Sequence, residues 1–462
     1  MKDKGILGAA VLICLPAFLA GLAALSGQDF PAMGEYETIS LLGQKLSAPT
    51  PDSAAVELYR KAKGEFERNP NEANTIWLGR RAAYLGLYRE AVKVFTDGLA
   101  RFPSSFRLLR HRGHRYITLR QFDKAIADLV KAAELSAAAP LDVEPDGIPN
   151  RSKRPLSNTQ FNIWYHLGLA HYLKADFAAA AEAYKECLKW SKNDDLLTAA
   201  TDWLYMALRR MGKEDEAQNC LKPIRKKMNI IENGAYHQRL LVYKGLKKPE
   251  SLIETPAGLN ERERGLNFAV QAYGLGNWYL FNGDAARARE LFEKLVKEGG
   301  WAAFGTIAAE AEIFRMVRAP LGGGGPDPET TDVSRLLKAW TIMWNAYDLA
   351  PVDRLFLNDS GLSYFSSEIK GLIRGMAALK VHHQGFGFVP GGKSQESRLW
   401  LEDTRVVDLG SGQAFLVTAT WGFDRGQGPE TAQRGPVTFV IVKTDSGFRI
   451  VHAHFANNEK TR

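Results

Sequence analysis

A chain of 462 residues, 45% of them hydrophobic and 24% charged, is too long for one ordinary core, and this composition excludes both wholesale disorder and a multi-span membrane protein. The formal net charge of +8 is spread without any run of five or more lysines or arginines, so the concentrated basic patch that would neutralise a nucleic-acid backbone is missing. Nucleic acid is therefore not an expected partner, and no cofactor or metal motif stands out.

In chain order, the first element is a targeting segment, residues 1–27. Met1-Lys2-Asp3-Lys4 precedes an uncharged apolar run from Ile6 to Ser26, broken by Pro16. The run exceeds the apolar core of about 7 to 15 residues of a cleaved signal peptide and approaches the roughly 20 that span a bilayer. It predicts export across the cytoplasmic membrane, to the periplasm or beyond, with cleavage before Gly27 and retention as a membrane anchor both open. Cys14 follows Ile13, not the small residue that lipid attachment prefers. Residues 28–51 read as a flexible N-terminal segment. Cys187 and Cys220 fall on apolar sides of predicted helices, either as two small core residues or as a disulfide if their Cα atoms come within about 7 Å.

Residues 52–318 carry a period of about 34 residues with helix-turn-helix punctuation. Leu78, Gly79, Gly86, Ala91, Phe95, Gly98 and Pro103 mark a first copy. Gly113, Tyr116, Ala125, Leu129 and Ala132 mark a second, and Trp164, Leu167, Gly168, Ala180, Tyr184 and Cys187 a third. A degraded fourth keeps Gly212, Ala217 and Leu221, and a fifth carries Leu275, Gly276, Tyr279, Gly283, Ala288 and Phe292. Small residues let paired helices approach, glycine turns the chain, and proline stops the second helix. Ser53 to Arg68 is a flanking helix and Ala302 to Val317 a cap. Two inserts, 140–158 and 229–265, interrupt the array as binding-face decorations or plain spacers.

These spacings resemble the tetratricopeptide repeat, and the resemblance implies an all-α solenoid whose first helices line a concave peptide groove. Carried onto this chain, the groove positions are Arg80, Tyr84, Arg107, Arg110, His114, Asn162, Tyr165, Tyr172 and Arg209, with Asp202 and Met206 beside them. The set is basic and aromatic. Guanidinium forks grip carboxylates and tyrosines cover apolar side chains, so the expected partner is an acidic peptide or protein segment. The competing reading is an ordinary solvated helix face.

Residues 319–332, with Gly322-Gly323-Gly324-Gly325 between prolines, form a linker across which two domains are expected to move. From Val333 the pattern changes to an amphipathic helix with Trp340, Trp344 and Tyr347, a short helix from Pro351 to Leu357, and strands over 398–408, 413–423, 436–443 and 448–455. Residues 459–462 are a tail. Helices before an antiparallel sheet is the α+β order. The Trp-bearing opening helix, the Asn358-Asp359 turn, the Arg374-Gly375 step and the closing run from Gly447 to His454 resemble the nuclear transport factor 2-like superfamily, in its SnoaL-like, polyketide-cyclase-like branch. The resemblance covers 333–458 and implies a cone-shaped α+β domain with a curved antiparallel sheet around an apolar pocket lined by Trp344, Tyr347, Tyr364, Trp421, His452 and His454. It also implies dimerisation or binding of a small apolar ligand. Asp353 and Asp359 sit where capping and turn aspartates belong, so no catalytic residue is assigned. His382-His383 reads as helix surface, and the histidines are not assigned to a metal.

The sequence thus predicts a multidomain exported scaffold whose groove binds an acidic polypeptide segment and whose last domain dimerises or holds a small ligand. The alternative is an isomerase, cyclase or dehydratase-like enzyme with its site in the C-terminal pocket.

Overall fold

The computed structural model describes residues 34–150, 152–253, 261–318, 332–410, 412–428 and 431–458. The targeting segment 1–27, the linker up to residue 331 and the tail lie outside the described residues.

The solenoid is a run of antiparallel helix pairs. A flanking helix α1 (Ser53–Arg68) leads into α2 (Glu72–Tyr84) and α3 (Tyr88–Arg101), then α4 (Phe106–Thr118) and α5 (Phe122–Ser136). The third pair is α6 (Thr159–Leu173) and α7 (Phe177–Lys189), and the fourth α8 (Asp194–Arg210) and α9 (Glu214–Cys220). Helix α10 (Gly234–Tyr243) lies in the second insert, before α11 (Glu261–Phe281), α12 (Ala285–Glu298) and the cap α13 (Phe304–Arg318). The side chains of Asn71, Ser105, Asn158 and Asn193 each accept a hydrogen bond from a backbone N–H in the first turn of α2, α4, α6 and α8.

Four of the five pairs, all but the fourth, close on the same contact, a glycine of the first helix against a large residue of the second. A Cβ on Gly113 would lie 2.8 Å from Leu129, one on Gly168 2.7 Å from Tyr184, and the same overlap meets Gly79 with Phe95 and Gly276 with Phe292. The chain turns within pairs at Gly86, Gly212 and Gly283, with φ of +80°, +72° and +84°. In the second and third pairs the same left-handed turn position holds Arg120 (φ +61°) and Ala175 (φ +66°), a conformation that costs a non-glycine residue about 1 kcal/mol or more.

The C-terminal region opens with α14 (Asp332–Ala346) and the short α15 (Val352–Leu355), and α16 (Gly375–Gly385) follows the first two strands of its sheet. Its sheet comprises β3 (Ser363–Phe365), β4 (Leu372–Arg374), β5 (Arg398–Asp408), β6 (Ala414–Asp424), β7 (Gln433–Thr444) and β8 (Gly447–Phe455), in spatial order β4-β3-β8-β7-β6-β5. The expected purely antiparallel sheet is corrected: β3 runs parallel to β8. The parallel bridge Phe356↔Ile450 starts this zipper before β3, so the chain leaving α15 enters the edge of β8 in the same direction. Trp340 and Trp344 on α14 cover the sheet; Trp340 stacks on Phe455 with ring centres 5.7 Å apart.

Residues 34–51 are not a loose leader. Strands β1 (Thr38–Ile39) and β2 (Lys45–Leu46) form a hairpin wedged between solenoid and sheet. Tyr36, Ile39 and Trp400 make a small core of their own, with Tyr36 edge-on to Trp400 at 5.6 Å. On the solenoid side, Thr38 Oγ1 donates to the Leu119 carbonyl (2.9 Å) and Arg89 Nε to the Glu37 carbonyl (2.6 Å). On the sheet side, a Cβ on Gly43 would meet Thr341 of α14 at 2.7 Å. Direct bonds cross as well: Arg89 to Asp424 at 3.3 Å and Lys124 to Glu396 at 2.8 Å. Apolar residues of this segment thus add contacts between the two regions that the linker composition does not reveal.

Candidate functional site

The residues assigned to the groove converge, but around the chain's own first insert. Arg107 donates Nε and Nη2 to the two oxygens of Asp142, each at 2.8 Å, in a bidentate fork. Arg110 Nη2 lies 2.9 Å from Glu144 Oε1, and Asn162 Nδ2 donates to Glu144 Oε2 at 3.0 Å. Arg81 Nη1 donates to the Gly147 carbonyl at 3.2 Å, and Gly147 itself rests on the Tyr84 hydroxyl and the Arg80 guanidinium, where a Cβ would overlap the ring. The insert is held in place by the bridge Val143↔Asn158 and by Thr159 N–H donating to the Asp142 carbonyl at 2.7 Å. Burial raises the Asp142 carboxyl, but hydrogen bonds from Arg107 and Thr159 outweigh it and hold the group below the usual carboxylate range.

Two further segments fill the same side of the solenoid. From the second insert, Tyr236 on α10 meets the Tyr165 hydroxyl at 2.9 Å and Arg239 Nε donates to Asp202 at 2.9 Å. From the cap, Phe304 packs on His114 at 5.1 Å, and His114 in turn on His166 at 4.2 Å. Neither insert is a plain spacer. Tyr172 and Arg209 do not join the cluster. Tyr172 is core, accepting from Tyr273 and Asn277 at 3.1 Å, because the repeat pair closes tightly there. Arg209 turns away to Glu214 at 2.9 Å and Tyr205 at 2.9 Å. Met206 is also buried. The sequence reading missed Asp142 and Glu144 as partners, and it left His111 and Arg115 out of the groove set; the insert 140–158, with three acidic and three basic residues, has no net charge to flag them.

In the C-terminal region, Trp344, Tyr364 and Trp421 do line one cavity, with Phe386, Phe423 and Phe455. At about 30 Å³ it holds one water's share of volume. Tyr347, His452 and His454 are not among the residues that line this cavity. Tyr347 packs on Phe388 at 4.8 Å. The register shift between Val440 and Ile441 leaves Val451 as an extra residue on β8, so Ile450, Ala453 and Phe455 face inward and both histidines face out. His452 Nδ1 instead meets Ser363 Oγ at 2.8 Å. Asp353 pairs with Lys380 at 2.7 Å and Asp359 caps the turn at Gly361.

His382 and His383 are buried, not surface, because α16 packs this face under Trp344 and Tyr364. Burial pushes His383 down to about 4 from an ordinary 6.5. The unfolded chain takes up this proton near 6.5 and the folded chain refuses it until about 4, so stability falls as pH falls through that window, by about 3 kcal/mol in total. Urea titrations at pH 7 and pH 4.5, followed by tryptophan fluorescence, should show this slope, and His383→Phe should make it shallower, the other buried histidines keeping the rest. An unchanged slope in the variant would refute the assignment.

Among the described residues no group of three or more His, Cys, Asp or Glu is arranged to hold a metal ion, and no helix is long and apolar enough to cross a membrane. Cys187 and Cys220 are both unpaired thiols.

The architecture is thus a tetratricopeptide-like helical solenoid followed by a C-terminal sheet region. A tetratricopeptide repeat family model matches residues 161–194, the third helix pair. Comparison with curated protein sequences gives no match. Among solved structures, the chain is similar to YrrB, described as a TPR protein with an unusual peptide-binding site, at 15% identity over 51% of this chain and 91% of that one, with a TM-score of 0.29. It is also similar to an NTF-2 like protein of unknown function from Shewanella oneidensis, at 20% identity over 27% of this chain and 96% of that one, TM-score 0.23. A Caulobacter vibrioides protein with a cystatin-like fold matches at 17% identity over 28% of this chain and 89% of that one, TM-score 0.23.

Proposed function

We propose that the protein is an exported interaction scaffold whose basic repeat face takes an acidic polypeptide segment, with the first insert as the resident occupant that a partner displaces. The observation that supports this reading is the fit of Asp142 and Glu144 onto Arg107 and Arg110. An acidic segment of similar spacing satisfies the same guanidinium forks, and the insert's attachment in cis gives it a high effective concentration that an outside partner must beat. Tetratricopeptide repeats suggest such a scaffold. For the C-terminal region we propose an NTF2-like domain that dimerises or holds a small apolar ligand. Its edge strand β5 exposes Val406 and Val407.

The test replaces residues 141–148 by a Gly/Ser segment of equal length and measures binding of a fluorescent peptide Leu-Asp-Val-Glu-Pro-Asp-Gly by anisotropy. The substituted chain is expected to bind at least about tenfold more tightly than the intact one, since removing an occupant worth ~1.4 kcal/mol gives that factor. Charge reversal at Arg107 and Arg110 should abolish the gain, and salt should weaken binding. Equal, weak binding by both chains would refute the groove reading.

A further inference from the structure

Beneath the docked insert lies a second feature, which shares Arg110 and Glu144 with the acidic-segment reading but adds a cavity that this reading leaves unfilled. A cavity of about 110 Å³, room for three or four waters at about 30 Å³ each, is bounded by Arg80, Tyr84, Arg110, His114, Arg115 and Glu144. Three guanidinium groups therefore face one lining carboxylate. Arg110 is 6% exposed and Arg80 9%.

Their hydrogen-bonding capacity is not spent. Arg110 gives Nη2 to Glu144 and Nη1 to His111 Nδ1 at 3.0 Å, but its buried Nε has no acceptor among the described residues. Among the described residues, Arg80 reaches only the Tyr84 hydroxyl, at 3.4 Å, and lies over the Trp77 ring. Arg115 has the face of Tyr88, at 5.5 Å, and no carboxylate partner among the described residues. Asp146 lies within electrostatic range of Arg80 but bonds to Asn150 at 3.1 Å. Burial first, and the neighbouring guanidinium groups second, hold His111 and His114 well below their ordinary pKa, so neither adds positive charge at neutral pH. Buried cations in excess over anions are costly unless an anion joins them.

We propose that this cavity is a binding site for inorganic phosphate as the hydrogen phosphate dianion, held by Arg80, Arg110 and Arg115. Guanidinium forks suit its unprotonated oxygens. Its remaining hydroxyl donates to Glu144, whose two oxygens each accept one bond already and have a further lone pair. Sulfate has no proton to give and meets Glu144 with like charge, so the site discriminates against it. The assignment is independent of the peptide reading: phosphate binds the chain with its insert docked, whereas an acidic partner displaces the insert.

Isothermal titration of the full chain with sodium phosphate and sodium sulfate, at matched ionic strength and pH 7.5, tests it. Saturable one-to-one binding of phosphate is expected, with sulfate at least about tenfold weaker. Arg115→Gln, which breaks no ion pair, should weaken phosphate at least about tenfold while the melting temperature in phosphate-free buffer stays put. Glu144→Gln should narrow the gap between the two anions. No saturable phosphate heat up to about 10 mM with wild-type protein, or undiminished binding by a folded Arg115→Gln chain, would overturn the site. Equal affinity for sulfate would overturn its assignment to phosphate.

Discussion

Replacing Glu310 by alanine is expected to cost about 3–5 kcal/mol and to loosen the C-terminal region from the solenoid. Glu310 on α13 accepts from Leu41 N–H of the hairpin at 2.6 Å and from Arg120 Nη2 at 2.7 Å, with side chains of Arg120 and Glu310 only 0% and 2% exposed. The Arg120 carbonyl in turn accepts from Arg398 of β5 at 3.3 Å. Removing the carboxylate strands a buried guanidinium and frees the hairpin in one step. Glu310→Gln, which keeps acceptors and loses charge, should cost less. Urea unfolding followed by tryptophan fluorescence reads the stability, and small-angle scattering reads the separation as a larger radius of gyration. A variant with wild-type unfolding and unchanged dimensions would show that the joint is held elsewhere.

The second large effect is expected at Asp202. Its carboxylate and the Arg239 guanidinium are 0% and 1% exposed, and Arg239 Nη1 also donates to the Val270 carbonyl at 2.7 Å. Asp202→Ala leaves that cation buried and is expected to destabilise the solenoid by about 3–5 kcal/mol, whereas Asp202→Leu combined with Arg239→Met should recover most of the loss. Circular dichroism melting at 222 nm separates these outcomes. If the double variant melts no higher than the single, the cost comes from the shape of α10's seat and not from the stranded charge. The difference matters for the groove, because this pair pins the second insert onto the repeat face.

The repeats were legible because their contacts are local: Gly79 and Phe95, or Gly168 and Tyr184, face each other within one helix pair and recur from pair to pair. The strands after residue 398 were legible from alternation. Period alone failed where one residue breaks the phase. The bulge at Val451 turned His452 and His454 outward, where the family resemblance had implied pocket-lining positions. The groove residues were legible as a set, but their partners were not, since Arg107 and Asp142 stand 35 residues apart and no periodicity links a loop to the helix it covers. Arg120 was invisible for a different reason. It occupies a turn position where glycine is expected, and only the buried Glu310 beside it explains why a strained arginine sits there.

The hairpin of residues 34–48 also orders events in time. Glu35 bonds Arg434, 399 residues later in the chain, and Tyr36 closes on Trp400. During synthesis the hairpin emerges early, while half of its seat does not exist until the sheet is made. Contacts of such separation are slow to close, because loop-closure entropy is met before they form. A chain truncated within the sheet would leave Tyr36 and Ile39 without their cover and display them to chaperones and proteases. The seat of the hairpin is thereby complete only when the last strands are present.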